Sequence, residues 1–136
     1  IVNIRELDNA TLQQDVIRPR SYQILLYGQS LGESDDTYSF WHSSQINDPG
    51  LNLSLYSNSV SDKALESIRL SSEISKRKDK YSIFLNQWQD DRPASILLSP
   101  YYTVLAPKNI DGFEVGSISQ VSEIFESAPN WTIKLK

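Results

Sequence analysis

Five short apolar runs that look like β-strands flank a block of helical pattern, and this order limits the fold more than any other feature. Within the block, Tyr81, Phe84, Leu85 and Trp88 recur at helical spacings of three and four. The run at residues 22–27 is nearly continuous, which is typical of a strand buried on both faces. Strands on both sides of helices indicate an α/β or an α+β fold, and we predict the α/β class, with a mixed sheet and flanking helices. The predicted strands are residues 1–6, 22–27, 94–99, 102–106 and 132–135.

Capping and breaking residues set the limits of the predicted helices. Ser, Asp and Asn cap helix starts because their side chains accept hydrogen bonds from the first free backbone N–H groups. Proline ends a helix because it lacks that N–H group. The predicted helices are a short one capped by Asp8 or Asn9 that runs through Ile17, a short one from Asp36 to Ser43, one capped by Asn58 or Ser59 that ends near Ser71, and one capped by Ser75 that ends at Arg92-Pro93.

Composition bounds the functional classes. The chain has 136 residues with 13 Lys+Arg against 17 Asp+Glu, a net charge of −4, which gives no electrostatic reason to bind nucleic acid. The absence of Cys excludes disulfides, thiol nucleophiles and the common zinc knuckles. The chain also has no Met, even at position 1. We therefore expect residues 1–136 to form a single domain excised from a larger protein.

The segment Gly28-Gln29-Ser30-Leu31-Gly32 matches the G-x-S-x-G pattern of α/β hydrolases, in which a sharp turn exposes the serine. A serine nucleophile needs a general base, and the only histidine is His42, twelve residues further on. The residues after Ser30 have the composition of a loop, whereas the hydrolase turn leads into a helix. A serine hydrolase using this motif is the alternative interpretation, and we expect no catalytic residues and no enzymatic activity.

Acidic residues near His42 have side chains of the kind that bind metal ions. Glu33, Asp35 and Asp36 precede it, but their spacing does not match the calcium loop of an EF-hand. An exposed acidic turn that caps the next helix explains them better, so we expect no metal and no cofactor. The aromatic residues Tyr38 to Trp41 follow the loop after a predicted buried strand, which is where α/β proteins usually bind ligands.

The order of these motifs resembles the C-terminal part of family 5 bacterial extracellular solute-binding proteins, the oligopeptide- and dipeptide-binding components of ABC transporters. The resemblance is carried by Tyr22-Gln-Ile-Leu-Leu-Tyr-Gly28, by Ser30 to Ser44, by Tyr56-Ser-Asn58 and by later blocks. Those later blocks are Lys76-Arg77 with Tyr81, Asp90-Asp-Arg-Pro93 leading into residues 96–102, and Ile110-Asp-Gly-Phe113.

The resemblance implies the C-terminal lobe portion of a periplasmic-binding-protein-like type II clamp. Such a clamp closes on a peptide or other small solute and delivers it to a membrane permease. The implied partners are therefore the solute, an ABC transporter permease and the N-terminal lobe of the same parent chain. The implied location is extracytoplasmic, in a periplasm or as a cell-surface lipoprotein of a bacterium. The loop after the strand faces the cleft in this family, and the implied ligand contacts are Gln29, Ser30, Leu31, Gly32, Tyr38 and Trp41.

Two positions depart from typical peptide binders. Gln29 stands where the family often has Trp, and Gly32 stands where it often has an Asp that pairs with the peptide's terminal amine. Without that carboxylate, a buried ammonium group would cost several kcal/mol. Other family members bind oligosaccharides, nickel complexes or other solutes, so the sequence leaves the identity of the solute open.

Overall fold

The structure is a computed structural model that describes residues 1–30, 36–114, 116, 118 and 120–134. The chain divides into two units. The first comprises Ile1–Tyr27 and Asp36–Ser95, and the second comprises Gly28–Asp35 and Ile96–Lys136. Within the described residues, no helix has the length and apolar character needed to cross a bilayer.

Two long helices, α3 (Ser59–Leu70) and α4 (Ile74–Asp91), dominate the first unit. Asn58 caps α3, because its side-chain oxygen accepts the N–H groups of Val60 at 2.9 Å and Ser61 at 3.3 Å. The prediction that Asn58 or Ser59 caps this helix is confirmed.

The start of α4 differs from the prediction, and its end agrees. The helix begins at Ile74, one residue before the predicted cap Ser75. The Ser75 hydroxyl instead donates to the Glu73 carboxylate at 2.7 Å. The helix ends at Arg92, which has a left-handed backbone conformation with φ 49° and precedes Pro93.

The apolar core of the first unit lies between α3 and α4. Its buried members are Tyr56, Ala64, Leu65, Ile68 and Phe84, and the half-buried Tyr38, Trp41, Tyr81 and Trp88 pack against it. Phe84 is 3% exposed whereas its neighbour Leu85 is 47% exposed. The predicted helical periodicity is therefore confirmed for the aromatic residues, but the prediction that Leu85 belongs to the same apolar side is wrong, because Leu85 is rotated away from the core that Phe84 enters.

A polar cluster joins the start of α3 to the end of α4. The Tyr56 hydroxyl donates to Asp91 Oδ2 at 2.7 Å, and Asn58 Nδ2 donates to the same oxygen at 2.7 Å. The Ser61 hydroxyl lies 2.7 Å from that of Tyr56. Burial, together with the nearby carboxylate, raises the pKa of Tyr56 to about 12. The hydrogen bond from Tyr56 lowers the pKa of Asp91.

The connection before α3 is held by a fully buried amide side chain. Asn52 Nδ2 donates to the carbonyl oxygens of His42 and Tyr56 at 3.0 and 2.8 Å. Its Oδ1 accepts the Tyr56 N–H at 3.1 Å and the Ser54 hydroxyl at 3.0 Å. Asn52 thus replaces the backbone pairing that this irregular segment lacks.

Four shorter helical segments complete the described part of the first unit. Asp8 caps α1 (Asn9–Thr11), which continues into a π-helical turn at Leu12–Ile17. The one-turn helix α2 (Tyr38–Trp41) is followed by a 3₁₀ turn at Ser43–Gln45. A short helix was predicted at both places, and both predictions are confirmed.

Four of the five predicted strands are absent, and we call residues 1–6, 22–27, 94–99 and 102–106 the unpaired segments. None of them forms strand pairing with the described residues. The prediction that residues 22–27 are buried on both faces is wrong, because Ile24 is 85% and Leu26 is 80% exposed. Strand propensity alone does not make a strand, since a strand requires a partner for its backbone hydrogen bonds.

The second unit contains a two-stranded antiparallel sheet. Strand β1 (Ile110–Asp111) pairs with β2 (Thr132–Ile133), with Ile110 opposite Ile133. The prediction of a last strand at 132–135 is thus met at Thr132–Ile133, and Leu135 lies outside the described residues. Gly112, at φ +75°, lies so close to Asn130 that an added Cβ would be 2.2 Å from its carbonyl oxygen.

An aromatic cluster packs beside this sheet. Phe113 and Phe125 lie 5.3 and 5.9 Å from Trp131 between ring centroids, and Trp131 Nε1 donates to Ser127 Oγ at 2.9 Å. Two 3₁₀ turns, Val121–Phe125 and Ala128–Asn130, connect β1 to β2. The chain thus has the predicted mixture of helix and strand, but the sheet is much smaller than predicted.

Candidate ligand-binding site

The six predicted ligand contacts fall into three groups. Tyr38 and Trp41 lie on α2 in the first unit and are half-buried. Gln29 and Ser30 belong to the second unit, are exposed and have no regular secondary structure. Leu31 and Gly32 lie outside the described residues. The geometry of α2 and its surroundings is therefore the part of the candidate site that the structure describes.

Helix α2 is a single turn whose two ends are fixed by side chains. At its start, Asp36 Oδ1 accepts the Tyr38 N–H at 3.1 Å. At its end, the backbone of His42 becomes extended and its ring begins the next turn, because Nδ1 accepts the Ser44 N–H at 3.0 Å. These two contacts limit the helix to Tyr38–Trp41 and set the direction of both predicted ligand contacts.

The Tyr38 ring is covered on both faces. The Arg69 guanidinium carbon lies 3.8 Å from the ring centroid, which is a cation–π contact. The His42 ring is nearly parallel to Tyr38, with centroids 4.0 Å apart and planes inclined by 16°. Because each face is already occupied, Tyr38 has only its edge and hydroxyl left for a ligand. The hydroxyl lies 3.2 Å from Ser44 Oγ in an exposed position.

An ion pair holds the arginine over this ring. Arg69 Nη2 and Nε lie 2.6 and 2.7 Å from Asp36 Oδ2. The hydrogen bond from Arg69 lowers the pKa of Asp36, which is therefore an anion at neutral pH. Since Asp36 Oδ1 also binds the Tyr38 N–H, one carboxylate fixes both the backbone of α2 and the cation above its aromatic ring.

His42 is buried, and its two ring nitrogens face different partners. Its Nε2 lies 3.4 Å from Glu66 Oε1 and 3.9 Å from Asp62 Oδ1, both on α3. Its Nδ1 accepts a backbone N–H, so the hydrogen-bond geometry assigns the proton of the neutral ring to Nε2. A metal ion at Nε2 would require the opposite tautomer. Among the described residues, no group of three His, Asp or Glu side chains is arranged to hold a metal.

The same geometry bears on the hydrolase alternative. His42 is the histidine that the alternative needs as a general base for Ser30, yet its nitrogens face Ser44 on one side and Glu66 with Asp62 on the other. Ser30 belongs to the second unit, whereas His42 belongs to the first. Nothing in the structure supports a serine hydrolase.

Trp41 anchors α2 to the helix pair. Its ring meets Trp88 of α4 edge-on, with centroids 5.3 Å apart and planes inclined by 82°. Trp41 is part of the half-buried layer on the core of α3 and α4. Its first role is thus to pack α2 against the core, and the rest of its half-exposed ring is left for a ligand.

Sequence reasoning missed two members of this arrangement. Arg69 is 33 residues from its partner Asp36 in the chain, and no local pattern signals their contact. Ser44 is close to its partners in the chain, but within the described residues its hydroxyl contacts only the side chains of Tyr38, His42 and Gln45, and no sequence pattern signals such contacts. The stacking of Arg69, Tyr38 and His42 is set by the packing of α2 on α3, which is a tertiary property.

Comparison with known proteins gives one informative match. The chain is 28% identical over 93 residues to the oligopeptide-binding protein AppA of Bacillus subtilis (strain 168), a match that covers 68% of this chain and 17% of that protein. The chain therefore matches only a small part of the length of this relative. No protein-family model and no solved structure matches the chain. The similarity indicates a relationship to solute-binding proteins.

Proposed function

We propose that this chain is the C-terminal lobe portion of the substrate-binding component of an ABC importer that carries peptides or a related small solute. The observation that carries the proposal is the 93-residue similarity to an oligopeptide-binding protein. The order of motifs from Tyr22 to Phe113 supports the same family. In this proposal, residues 1–136 are a single domain of a two-lobed clamp with a periplasmic-binding-protein-like type II fold.

The partners and location follow from that role. The N-terminal lobe of the parent chain forms the other wall of the cleft, and a membrane permease receives the solute. The protein then works outside the cytoplasm, in a periplasm or as a cell-surface lipoprotein. The unpaired segments support a missing partner within the parent chain, since Ile96, Leu97 and Leu98 are each more than three-quarters exposed.

The ligand contacts in this proposal are the loop Gln29 to Gly32 and helix α2. Binding requires no covalent chemistry, which agrees with a relative named as a binding protein. Tyr38 contributes its edge because its ring faces pack on Arg69 and His42, and Trp41 contributes the part of its ring that is not packed on the core. Gly32 has no carboxylate, so we expect a peptide's terminal amine to be bound elsewhere or not at all.

Nuclear magnetic resonance titration of the 15N-labelled chain with alanine peptides of increasing length tests the proposal. We expect amide signals of residues 28–44 to shift, with a dissociation constant well above micromolar. The affinity is weak because one wall of a cleft removes water from only one side of the ligand. No shift at millimolar peptide would overturn the peptide-binding role, and submicromolar affinity would overturn the assignment to a single lobe.

A second measurement separates binding from hydrolysis. We expect no turnover of p-nitrophenyl acetate above the buffer rate, for the wild type and for Ser30→Ala alike. Ester hydrolysis that Ser30→Ala abolishes would replace the binding role by the hydrolase alternative.

A further inference from the structure

The outer edge of Tyr38 has a definite hydrogen-bonding polarity. The Tyr38 hydroxyl is 3.2 Å from Ser44 Oγ, and Ser44 Oγ is 2.8 Å from His42 Nδ1 and 3.1 Å from Gln45 Nε2. In each of these contacts, one atom donates a hydrogen and the other accepts it. Which atom supplies each hydrogen can be worked out from the buried end of the chain of contacts.

The buried end is the His42 ring. Its Nδ1 accepts the Ser44 N–H at 3.0 Å and so carries no proton in the neutral ring. The 2.8 Å contact between Nδ1 and Ser44 Oγ is therefore a hydrogen bond only if the serine hydroxyl donates, so that the single lone pair of Nδ1 is shared between the N–H and O–H groups of Ser44. The tautomer that this requires places the remaining proton on Nε2, which faces the carboxylates of Glu66 and Asp62.

The polarity then passes outward to the surface. The Ser44 hydroxyl donates its one hydrogen to His42 Nδ1. Its oxygen therefore accepts hydrogen bonds from Gln45 Nε2 and from the Tyr38 hydroxyl. The Tyr38 hydroxyl therefore donates its one hydrogen to Ser44 Oγ. What remains at the exposed edge is the lone pair of the phenolic oxygen, which accepts and cannot donate.

We infer that Tyr38 contacts the ligand through its phenolic oxygen as an acceptor for a ligand N–H group, and that its ring face takes no part. This inference rests on the proposed function, because it names the ligand chemistry at one residue of the same site. An amide N–H of a peptide backbone has the required donor. A carbonyl group or another acceptor is rejected at this position, since two lone pairs would face each other.

The test compares Tyr38→Phe with the wild type. The substitution removes the phenolic oxygen and keeps the ring between Arg69 and His42. The probes are N-acetyl-tetraalanine dimethylamide, which has amide donors, and its fully N-methylated counterpart, which has none. We expect Tyr38→Phe to weaken binding of the first probe by about three- to tenfold, which is the contribution of one hydrogen bond. Binding of the second probe should be unchanged.

The outcomes separate this inference from the proposed function. If the wild type binds the first probe and Tyr38→Phe binds it equally well, the inference fails and the binding role stands. Equal weakening for both probes also overturns the inference, because the lost contact would not involve an N–H group. If the wild type binds neither probe, the peptide-binding role fails and the inference fails with it.

A measurement without ligand checks the polarity itself. The 15N chemical shifts of the two His42 nitrogens, recorded at about pH 8 so that an ordinary imidazole is neutral, report which one carries the proton. We expect the proton on Nε2. A proton on Nδ1 would make Ser44 Oγ the acceptor in that contact, free its hydrogen for Tyr38, and overturn the inference.

Discussion

The unpaired segments contain a larger proportion of apolar side chains than the helix pair α3–α4, yet the helix pair buries many of its apolar side chains and the unpaired segments leave most of theirs exposed. Leu65 and Phe84 in the helix pair are 2% and 3% exposed, whereas Ile24 and Leu26 in one unpaired segment are 85% and 80% exposed. A helix satisfies its backbone hydrogen bonds internally, so one apolar face is enough to fix it. A strand satisfies its backbone only through a neighbour, and these segments have none among the described residues.

The difference assigns separate physical roles to the two regions. The helix pair supplies the stability of the first unit and holds α2, with Tyr38 and Trp41, against its core. The unpaired segments contribute apolar surface that the chain leaves uncovered. Substitutions in the two regions should therefore differ sharply in their effect on the free energy of unfolding.

The largest effect is expected at the centre of the helix pair. Phe84→Ala should lower the free energy of unfolding by about 3–5 kcal/mol, because it removes a buried aromatic ring and leaves a cavity. The measurement is the urea midpoint followed by circular dichroism. Leu85→Ala is the matched control on the exposed side, where a half-exposed leucine should cost about 1 kcal/mol. Equal losses would show that the two faces of α4 are assigned incorrectly.

A smaller effect is expected in the loop before α3. Gly50→Ala should lower the free energy of unfolding by about 1–3 kcal/mol, because an added Cβ would lie 2.1 Å from the Gln45 carbonyl oxygen. Gly28→Ala is the control, since no atom lies within 4 Å of its added Cβ. We expect that control to stay within about 0.5 kcal/mol of the wild type. If Gly50→Ala and Gly28→Ala have the same free energy of unfolding, the loop that contains Gly50 is less tightly packed than the helix pair.

The cluster that joins the two helices should give the chain a characteristic dependence of stability on pH. Asp91 has a lowered pKa in the folded state, so its contribution is present above the ordinary carboxyl value of 3.8 and is lost as the pH falls further. Tyr56 has a raised pKa of about 12, so its contribution is present below about pH 10 and is lost as the pH rises through 12. Urea midpoints measured from pH 2 to 12 test both the loss of stability at acid pH and the loss at alkaline pH.

Two variants test whether this cluster causes the loss of stability at acid pH and the loss at alkaline pH. Asp91→Asn should reduce the acid-side slope, and Asp90→Asn, which changes the net charge equally at the preceding position, is its control. Tyr56→Phe should reduce the alkaline loss because phenylalanine does not ionise, and the raised pKa of Tyr22 leaves part of that loss in place. An unchanged acid slope in Asp91→Asn would mean that the contact between Tyr56 and Asp91 does not form in solution.

The helices were predictable from sequence because their signals are local. The Asn58 cap, the spacing of Phe84 and Trp88, and the end at Arg92-Pro93 all act within a few residues. The sheet was not predictable in the same way, because apolar alternation indicates strand propensity but not whether a partner is present. The candidate site was located only as far as Tyr38 and Trp41. Arg69, which covers the ring of Tyr38, comes from a helix 33 residues beyond its partner Asp36.

The smallest effect is expected in the unpaired segment 22–27. Ile24 and Leu26 lie two residues apart, and both are more than three-quarters exposed. Ile24→Thr and Leu26→Thr should therefore change the free energy of unfolding by less than about 0.5 kcal/mol, as judged from urea midpoints. The buried Ile17, 5% exposed, is the matched control, and Ile17→Thr should cost about 1–3 kcal/mol because it places a hydroxyl in an apolar site.

The same pair of variants shows whether a partner covers this segment. A loss above 1 kcal/mol in this chain alone would mean that Ile24 and Leu26 are packed, and would remove the contrast between the two regions. In the two-lobed parent that we propose, a neighbouring strand would cover these side chains. There each substitution should cost about 1–2 kcal/mol, since the methyl groups it removes would be buried. Near-zero cost in this chain together with a clear cost in the parent is the result that only a missing strand partner explains.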